Sequence, residues 1–162
     1  MSAASIRLSL IFVMLALAVS YTLAQMPNPY GSAIGVENAK KAAAPAIAEA
    51  KKNIWMMAVA IVDTAGNLVY FEKMDGTQTG SVNVSIEKAR TAALFKRPSK
   101  SFQDTVAAGG DGLRILGLPG AVPVEGGVPL LMDGKIVGAI GVSGATSAQD
   151  GQCAQAGAST LK

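Results

Sequence analysis

The spacing of apolar positions predicts four helices in the part of the chain that follows residue 35. The first, from Val36 to about Asn53, gathers its apolar residues on one face and leaves most of its lysines off that face. Pro45 is expected to kink or split this helix, because proline removes a backbone hydrogen bond. The other helices are predicted over Ser81–Phe95, over Ser99–Ala108 and from Ser147 onward.

Apolar runs between these helices predict two β-hairpins. Asp63–Asn67 has turn chemistry, and Asp133-Gly134 is a strong signal for a two-residue hairpin turn. The segment Gly109–Gly127 has no regular pattern, and a loop of this length is usually functional or mobile. The predicted strands are Trp55–Val62, Leu68–Met74, Val128–Met132 and Lys135–Ser143.

This order of elements predicts an α+β domain with α/β/α layers. The two hairpins imply a central antiparallel sheet, and the helices that alternate with them can cover both of its faces. Small residues on the second helix, including Ser85 and Ala89, indicate that another element packs closely against it. Ser81 is predicted to cap that helix, and Ser147 with Asp150 resembles a capping box at the last one.

The first 24 residues have the pattern of an export signal. One positive charge, Arg7, precedes an apolar run from Leu8 to Val19, and small residues precede a cleavage point after Ala24. The run is short for a membrane span, although an uncleaved anchor is the alternative. We therefore expect a signal peptide at residues 1–24, a flexible lead-in at 25–35, one domain at 36–162, and a periplasmic or secreted protein.

Composition excludes several classes of partner. A net charge of +3 is too weak to imply a nucleic-acid partner, and no basic stripe with interleaved aromatic residues is present. The charges do not cluster into a polybasic patch, so a stable membrane anchor is not expected either. The single cysteine, Cys153, rules out an internal disulfide and is expected to be a small buried residue.

The chain contains no histidine, which removes the commonest general base and the commonest ligand of zinc, iron and copper. Ser-His-Asp and Cys-His systems are therefore impossible. Gly109–Gly112 lacks the Lys-Ser/Thr pair of a phosphate loop, so nucleotide binding is not predicted. No catalytic residue and no metal ligand is identified by these patterns.

Two regions hold the candidate ligand-binding residues. Glu125, Gly126 and Gly127 precede the third strand, where paired glycines expose backbone N–H groups and permit close approach of a ligand. A tight turn into the strand is the alternative, and the two interpretations carry equal weight. Lys88 and Arg90 lie on the second helix, where they line the mouth of a pocket or belong to a solvated face.

Seven short stretches match a known family in its order along the chain. They are Val59–Leu68, Met74–Gly76, Lys88–Ala92, Arg97-Pro98, Gly126–Pro129, Gly138–Gly144 and Gln149-Asp150. Through them the chain resembles, from Val36 to Leu161, the GlcG/HbpS family of small haem-binding proteins. The resemblance implies an α/β/α domain that assembles into a homo-oligomer, and haem or a related tetrapyrrole as the ligand.

The resemblance has one departure that concerns the iron. A histidine ligates haem iron in some relatives, and none is available here. Haem would then use Met, Tyr, Lys or Cys153, or would sit between subunits with weak axial ligation. Lys88 and Arg90 would meet the propionates, and Gly126 and Gly127 would supply backbone contact. The candidate soft ligands are Met56, Met57, Met74 and Met132. The alternative for each is that the side chain fills the core.

Three functional hypotheses follow. The first is an exported oligomeric binder of haem or another planar small molecule. The second is an enzyme on a small metabolite with Lys88 as base and the Gly126-Gly127 loop as oxyanion donor, which requires a buried Lys88. The third is a non-catalytic accessory protein of a periplasmic oxidoreductase, which requires a large exposed apolar patch.

Overall fold

A computed structural model describes residues 27–161, and the predicted signal peptide at 1–24 lies outside them. Within that range, none of the helices combines the length and the apolar character needed to span a bilayer. The helices are α1 (Val36–Lys52), α2 (Ser81–Phe95), α3 (Ser99–Ala107) and α4 (Ser147–Ala158), with a 3₁₀ segment over Gly110–Gly117. The strands are β1 (Ala58–Asp63), β2 (Leu68–Lys73), β3 (Gly127–Met132) and β4 (Lys135–Ser143).

The four strands form one antiparallel sheet in the order β2-β1-β4-β3. β1 and β4 lie in the centre, and β2 and β3 form the edges. α1 and α4 pack together on one face, while α2 covers the other face with α3 beside it. The structure therefore confirms the predicted α+β fold with helices on both faces of an antiparallel sheet of two hairpins.

The two faces of the sheet bury residues of different size. Branched side chains such as Ile61, Ile140 and Val142 pack against the alanine face of α1 and against α4. On the other face the core consists of Val62 and alanines of α2 and β4. Because so few large side chains separate α2 from the sheet, its backbone lies very close to the strands.

Two glycines make this close approach possible. Gly127 of β3 and Gly141 of β4 are paired across the sheet directly beneath α2. A Cβ atom on Gly127 would overlap the carbonyl oxygen of Lys88, and one on Gly141 would overlap the carbonyl oxygen of Ser85. The small residues of α2 therefore face glycines in β3 and β4, and the close packing that the composition of α2 predicted is present.

Several local details can be compared with the predictions. α1 continues through Pro45 as one helix, so of the two predicted effects of Pro45 the split does not occur. Gly80, not Ser81, occupies the N-cap position of α2. The capping box of α4 is formed by Thr146 and Gln149. Asp150 does not take part in that box, because its carboxylate is turned into the protein.

The lead-in predicted as flexible is hydrogen-bonded to β4 where the structure describes it. The N–H groups of Gly31 and Ile34 each donate at 2.8 Å to carbonyl oxygens of Ile136 and Val137, respectively. Ile34 is buried and belongs to the larger core cluster. The segment thus extends the coverage of the sheet although it forms no regular strand.

Candidate functional site

A buried ion pair links the two helical layers at the end of the sheet where β4 ends and β3 begins. The ammonium of Lys88 on α2 donates to Oδ2 of Asp150 on α4 at 2.7 Å and to the carbonyl oxygen of Val142 at 3.2 Å. The side chains of Lys88 and Asp150 are only 1% and 3% exposed. Each charge lies where water cannot solvate it, so each depends on the other.

The carboxyl group of Asp150 also accepts a hydrogen bond from the backbone. Its Oδ1 accepts a hydrogen bond of 3.1 Å from the backbone N–H of Ala145. Burial raises the pKa of the Asp150 carboxyl, and the hydrogen bond and charge of Lys88 act against that rise. The pair is therefore a structural cross-link between α2 and α4.

Gly126 covers this ion pair. Its backbone has φ of +130°, and a Cβ atom there would lie 3.0 Å from Nζ of Lys88 and 2.6 Å from the carbonyl oxygen of Val142. A side chain at this position would therefore collide with the pair and strain the backbone. The need for Gly126 and Gly127 is explained by the packing of Lys88, whether or not a ligand approaches them.

Arg90 points away from Lys88, because residues two apart lie on different faces of a helix. Its Nε donates to the carbonyl oxygen of Gly66 at 3.0 Å, and its guanidinium pairs with Glu87. Arg90 thereby braces the turn between β1 and β2. Lys88 and Arg90 do not share one pocket mouth.

A groove runs along the free edge of β3, between that strand and α4, and we call it the β3 groove. It consists of two adjoining cavities of about 330 and 400 Å³, which share Pro98, Val128 and Gln155. These volumes are typical of small-molecule sites. One cavity is walled mostly by apolar residues, among them Leu131 and Leu161.

The second cavity of the β3 groove is walled by the predicted glycine loop. Glu125, Gly126 and Gly127 line it together with the first turns of α4. Lys100 lies on its rim, with its ammonium 3.9 Å from the carboxylate of Glu125. Lys96 lines the first cavity, and its ammonium lies 4.2 Å from the centre of the Tyr30 ring. The groove therefore has an apolar wall and one lysine in each of its two cavities.

The candidate soft ligands do not line the β3 groove. Met57 is fully buried, Met74 packs against the core, and Met56 is 42% exposed beside Gly76. Met132 lines a separate cavity of about 340 Å³ next to the lead-in. Cys153 is buried as predicted, and burial raises the pKa of its thiol to about 11. A thiolate for iron is therefore unfavourable at Cys153.

The structure places the five predicted ligand-binding residues in three locations. Glu125, Gly126 and Gly127 meet in the β3 groove, Lys88 lies behind Gly126 in an ion pair, and Arg90 lies at the β1–β2 turn. That any of them contacts a ligand stays a prediction.

Sequence reasoning missed the role of Asp150 and the position of Lys96. One signal for Asp150 was available. Lys88 falls within the small-residue stripe of α2, three residues after Ser85 and four before Ala92, so its burial was foreseeable. A buried lysine requires an acidic partner. Lys96 gave no such signal, because its approach to Tyr30 depends on the course of the lead-in.

The chain is thus a small α+β domain with a groove along one edge of its sheet. The sequence profile of the family described as "Haem degrading protein HbpS-like" matches residues 34–159. The chain therefore belongs to the HbpS-like family, which confirms the resemblance seen in its sequence.

Individual relatives agree with this assignment. The chain is 42% identical over 95 residues to Protein GlcG of Escherichia coli K12, which is 59% of this chain and 69% of that protein. A double-mutant crystal structure of HbpS from Streptomyces reticuli superposes with a TM-score of 0.74 at 32% identity, covering 82% of this chain and 89% of HbpS. A crystal structure of a PduOC–heme complex has a TM-score of 0.71 at 25% identity, covering 80% and 96% of the two chains.

Proposed function

We propose that this protein is an exported, oligomeric binder of haem or a related tetrapyrrole, and that the ligand lies in the β3 groove. The observation that carries the proposal is the combination of an apolar wall with one lysine in each of the two cavities of the groove. A tetrapyrrole with propionate groups has the complementary distribution, namely a large apolar ring system and carboxylates at its edge. Family membership and the PduOC–heme relative support the choice of ligand class.

Absorbance in the Soret region tests the proposal. Haem is titrated into the chain that begins at Gln25, and a saturating spectral shift at a fixed stoichiometry is the expected result. Absence of a saturable shift would remove haem as the ligand. Because the groove offers lysine but neither histidine nor methionine, the spectrum is expected to be that of weakly ligated iron.

A charge in the wall of the β3 groove tests the location. Leu131→Asp places a carboxylate where the apolar ring would pack, and we expect it to abolish saturable binding. The matched control is Leu68→Asp on β2, the opposite edge strand, where the leucine is 46% exposed. Equal loss of binding in both variants, with both folded, would place the ligand elsewhere.

Export is proposed from residues 1–24 and their signal-like pattern. Cleavage after Ala24 predicts that mature protein recovered from the periplasm or the medium begins at Gln25. Mass spectrometry of the recovered protein measures this directly. Protein retained in the cytoplasm with Met1 or Ser2 as its first residue would contradict export.

Oligomerisation is proposed from the exposed apolar surface of the 3₁₀ segment. Leu113 and Leu116 are 50% and 64% exposed there, and the segment packs chiefly on α3. Light scattering is expected to show an oligomer that Leu113→Ser with Leu116→Ser dissociates, whereas Leu68→Ser leaves it intact. A monomeric wild type would instead favour the accessory-protein hypothesis, in which the same leucines meet another protein.

A further inference from the structure

The connection between α1 and β1 carries an apolar side chain in an unfavourable backbone position. The N–H of Trp55 donates to the carbonyl of Ala50 at 3.0 Å, and the N–H of Ile54 donates to that of Lys51 at 3.2 Å. This is the Schellman arrangement, whose left-handed residue after the C-cap is usually glycine. Here that residue is Ile54, with φ of +59°.

Packing among residues 27–161 does not account for this choice. The left-handed conformation is unusual for a β-branched residue, and Ile54 is 81% exposed, the highest value among the large hydrophobic residues that the structure describes. Met56, two residues on, is 42% exposed. The segment Ile54–Met56, which we call the apolar tip, thus exposes most of Ile54 and part of Met56, while Trp55 between them packs against the core.

Three lysines and two carboxylates lie beside the apolar tip, so its surroundings have a net charge of +1. Lys51 and Lys52 form the last turn of α1 immediately before it, and both are exposed. Glu49 is engaged by Gln152 and Asn53 and lies 3.8 Å from Lys52. Lys73 and Asp75, which follow on the neighbouring end of β2, have charges that cancel.

We propose that the apolar tip contacts the surface of a membrane that contains anionic phospholipids. Isoleucine and methionine would enter the interface, Lys51 and Lys52 would meet the headgroups, and Trp55, which packs against the core, would lie beside them. Two apolar residues give only weak, reversible attachment. The proposal is therefore compatible with the expectation that the protein has no stable membrane anchor, and it does not depend on haem binding.

Trp55 makes the proposal directly measurable, because it is the only tryptophan in the chain. The protein is used from Gln25 onward, so that the apolar run at residues 8–19 adds nothing. Its fluorescence is followed with vesicles of phosphatidylcholine alone and of phosphatidylcholine mixed with phosphatidylglycerol. We expect a blue shift and quenching by brominated lipid with the mixed vesicles, both reduced at high salt.

Variants separate the lipid contact from a structural role. Ile54→Gly removes the apolar side chain and suits the left-handed conformation, so the protein should unfold at the same or a higher urea concentration. Its partitioning onto mixed vesicles should fall about tenfold or more. The double variant Lys51→Gln with Lys52→Gln should also lower partitioning onto mixed vesicles about tenfold or more, because each lysine contributes about fivefold.

Leu68→Ser is the matched control, because it removes an exposed leucine at the opposite end of β2 from Lys73 and should leave partitioning unchanged. The proposal is overturned by an unshifted spectrum, by equal shifts with neutral and anionic vesicles, or by an Ile54→Gly protein that partitions like the wild type. A concentration-dependent shift without vesicles would assign the apolar tip to a second copy of the chain and would equally overturn it.

Discussion

Nζ of Lys88 lies 2.7 Å from Oδ2 of Asp150, and this contact joins α2 to α4 around the end of the sheet that separates them. Both charges are almost completely removed from water. The pair stabilises the fold only while both partners are present, since either charge alone would remain buried without compensation.

Removal of one partner is therefore expected to be costly. Lys88→Met keeps a side chain of similar length but leaves the Asp150 carboxylate buried and unpaired. We expect the free energy of unfolding at neutral pH to fall by about 3–5 kcal/mol. Urea denaturation followed by circular dichroism measures this. Replacing Asp150 as well, in Lys88→Met with Asp150→Asn, should restore much of the loss because no buried charge remains.

The exposed pair of Lys40 and Glu37 provides the control, with side chains 53% and 77% exposed. Lys40→Met should change the free energy of unfolding by less than about 1 kcal/mol. In Lys88→Met the pKa of Asp150 should rise further, so that variant should be least destabilised at acidic pH and lose stability as pH rises. A loss of unfolding free energy as small as that of Lys40→Met would show that the buried pair stabilises the fold no more than an exposed pair does.

The glycines beneath α2 yield a second prediction. Gly127→Ala and Gly141→Ala each place a methyl group against a carbonyl oxygen of α2, and neither the helix nor the sheet can yield easily. We expect each to destabilise the protein by about 3 kcal/mol or more. Gly35→Ala is the control, because nothing lies within 4 Å of its added Cβ atom and its φ is −85°; as the N-cap of α1 it should lose only the preference of that position for glycine over alanine, about 1 kcal/mol or less. Chemical denaturation of the three variants gives the comparison, and similar midpoints would contradict the close-packing account.

The sequence was sufficient for the elements and the layers, because their signals are local. Asp133-Gly134 places a turn between two apolar runs, and the structure has β3 and β4 on either side of it. α2 begins at Ser81 and ends at Phe95 as its pattern predicted. Caps were less predictable, since Ser147 and Thr146 are equally able to cap and only the inward turn of Asp150 decides between them.

The candidate site could be predicted only in part, because the sequence shows local patterns and not contacts between distant residues. Gly126 and Gly127 were identified from a local pair, and they do wall the β3 groove. Lys88 and Arg90 were grouped because they are neighbours in sequence, but a helix sends them to different surroundings. The partner of Lys88 lies 62 residues away in the chain, and no local pattern joins the two.

Cys153 predicts a specific dependence of stability on pH. Burial raises the pKa of its thiol to about 11, above the ordinary value of 9.0. The unfolded chain therefore loses this proton at a pH where the folded protein keeps it. The stability that Cys153 contributes is fully present below about pH 9 and is lost as pH rises toward 11, by at most about 2–3 kcal/mol.

Urea denaturation of the wild type and of Cys153→Ala between pH 8 and 11 isolates this effect, because other titrating groups are shared. The difference in unfolding free energy between the two proteins should shrink across that window. A constant difference would contradict the prediction. Below pH 9 the native thiol should also react with a thiol reagent only as fast as the protein unfolds.

Lys96 and Lys100 predict how a tetrapyrrole with carboxylates would be held. Each lysine lines one of the two cavities of the β3 groove, and Lys100 pairs with Asp104 at 2.8 Å. Lys96→Met and Lys100→Met should each weaken haem binding about two- to fivefold, a small effect because both sites are open to solvent. Haem dimethyl ester lacks the charged carboxylates, so its affinity should be the same for wild type and variants. Lys40→Met on α1 is the control and should leave both ligands unaffected. If the ester loses affinity as much as haem does, the lysines act through the shape of the groove and not through the propionates.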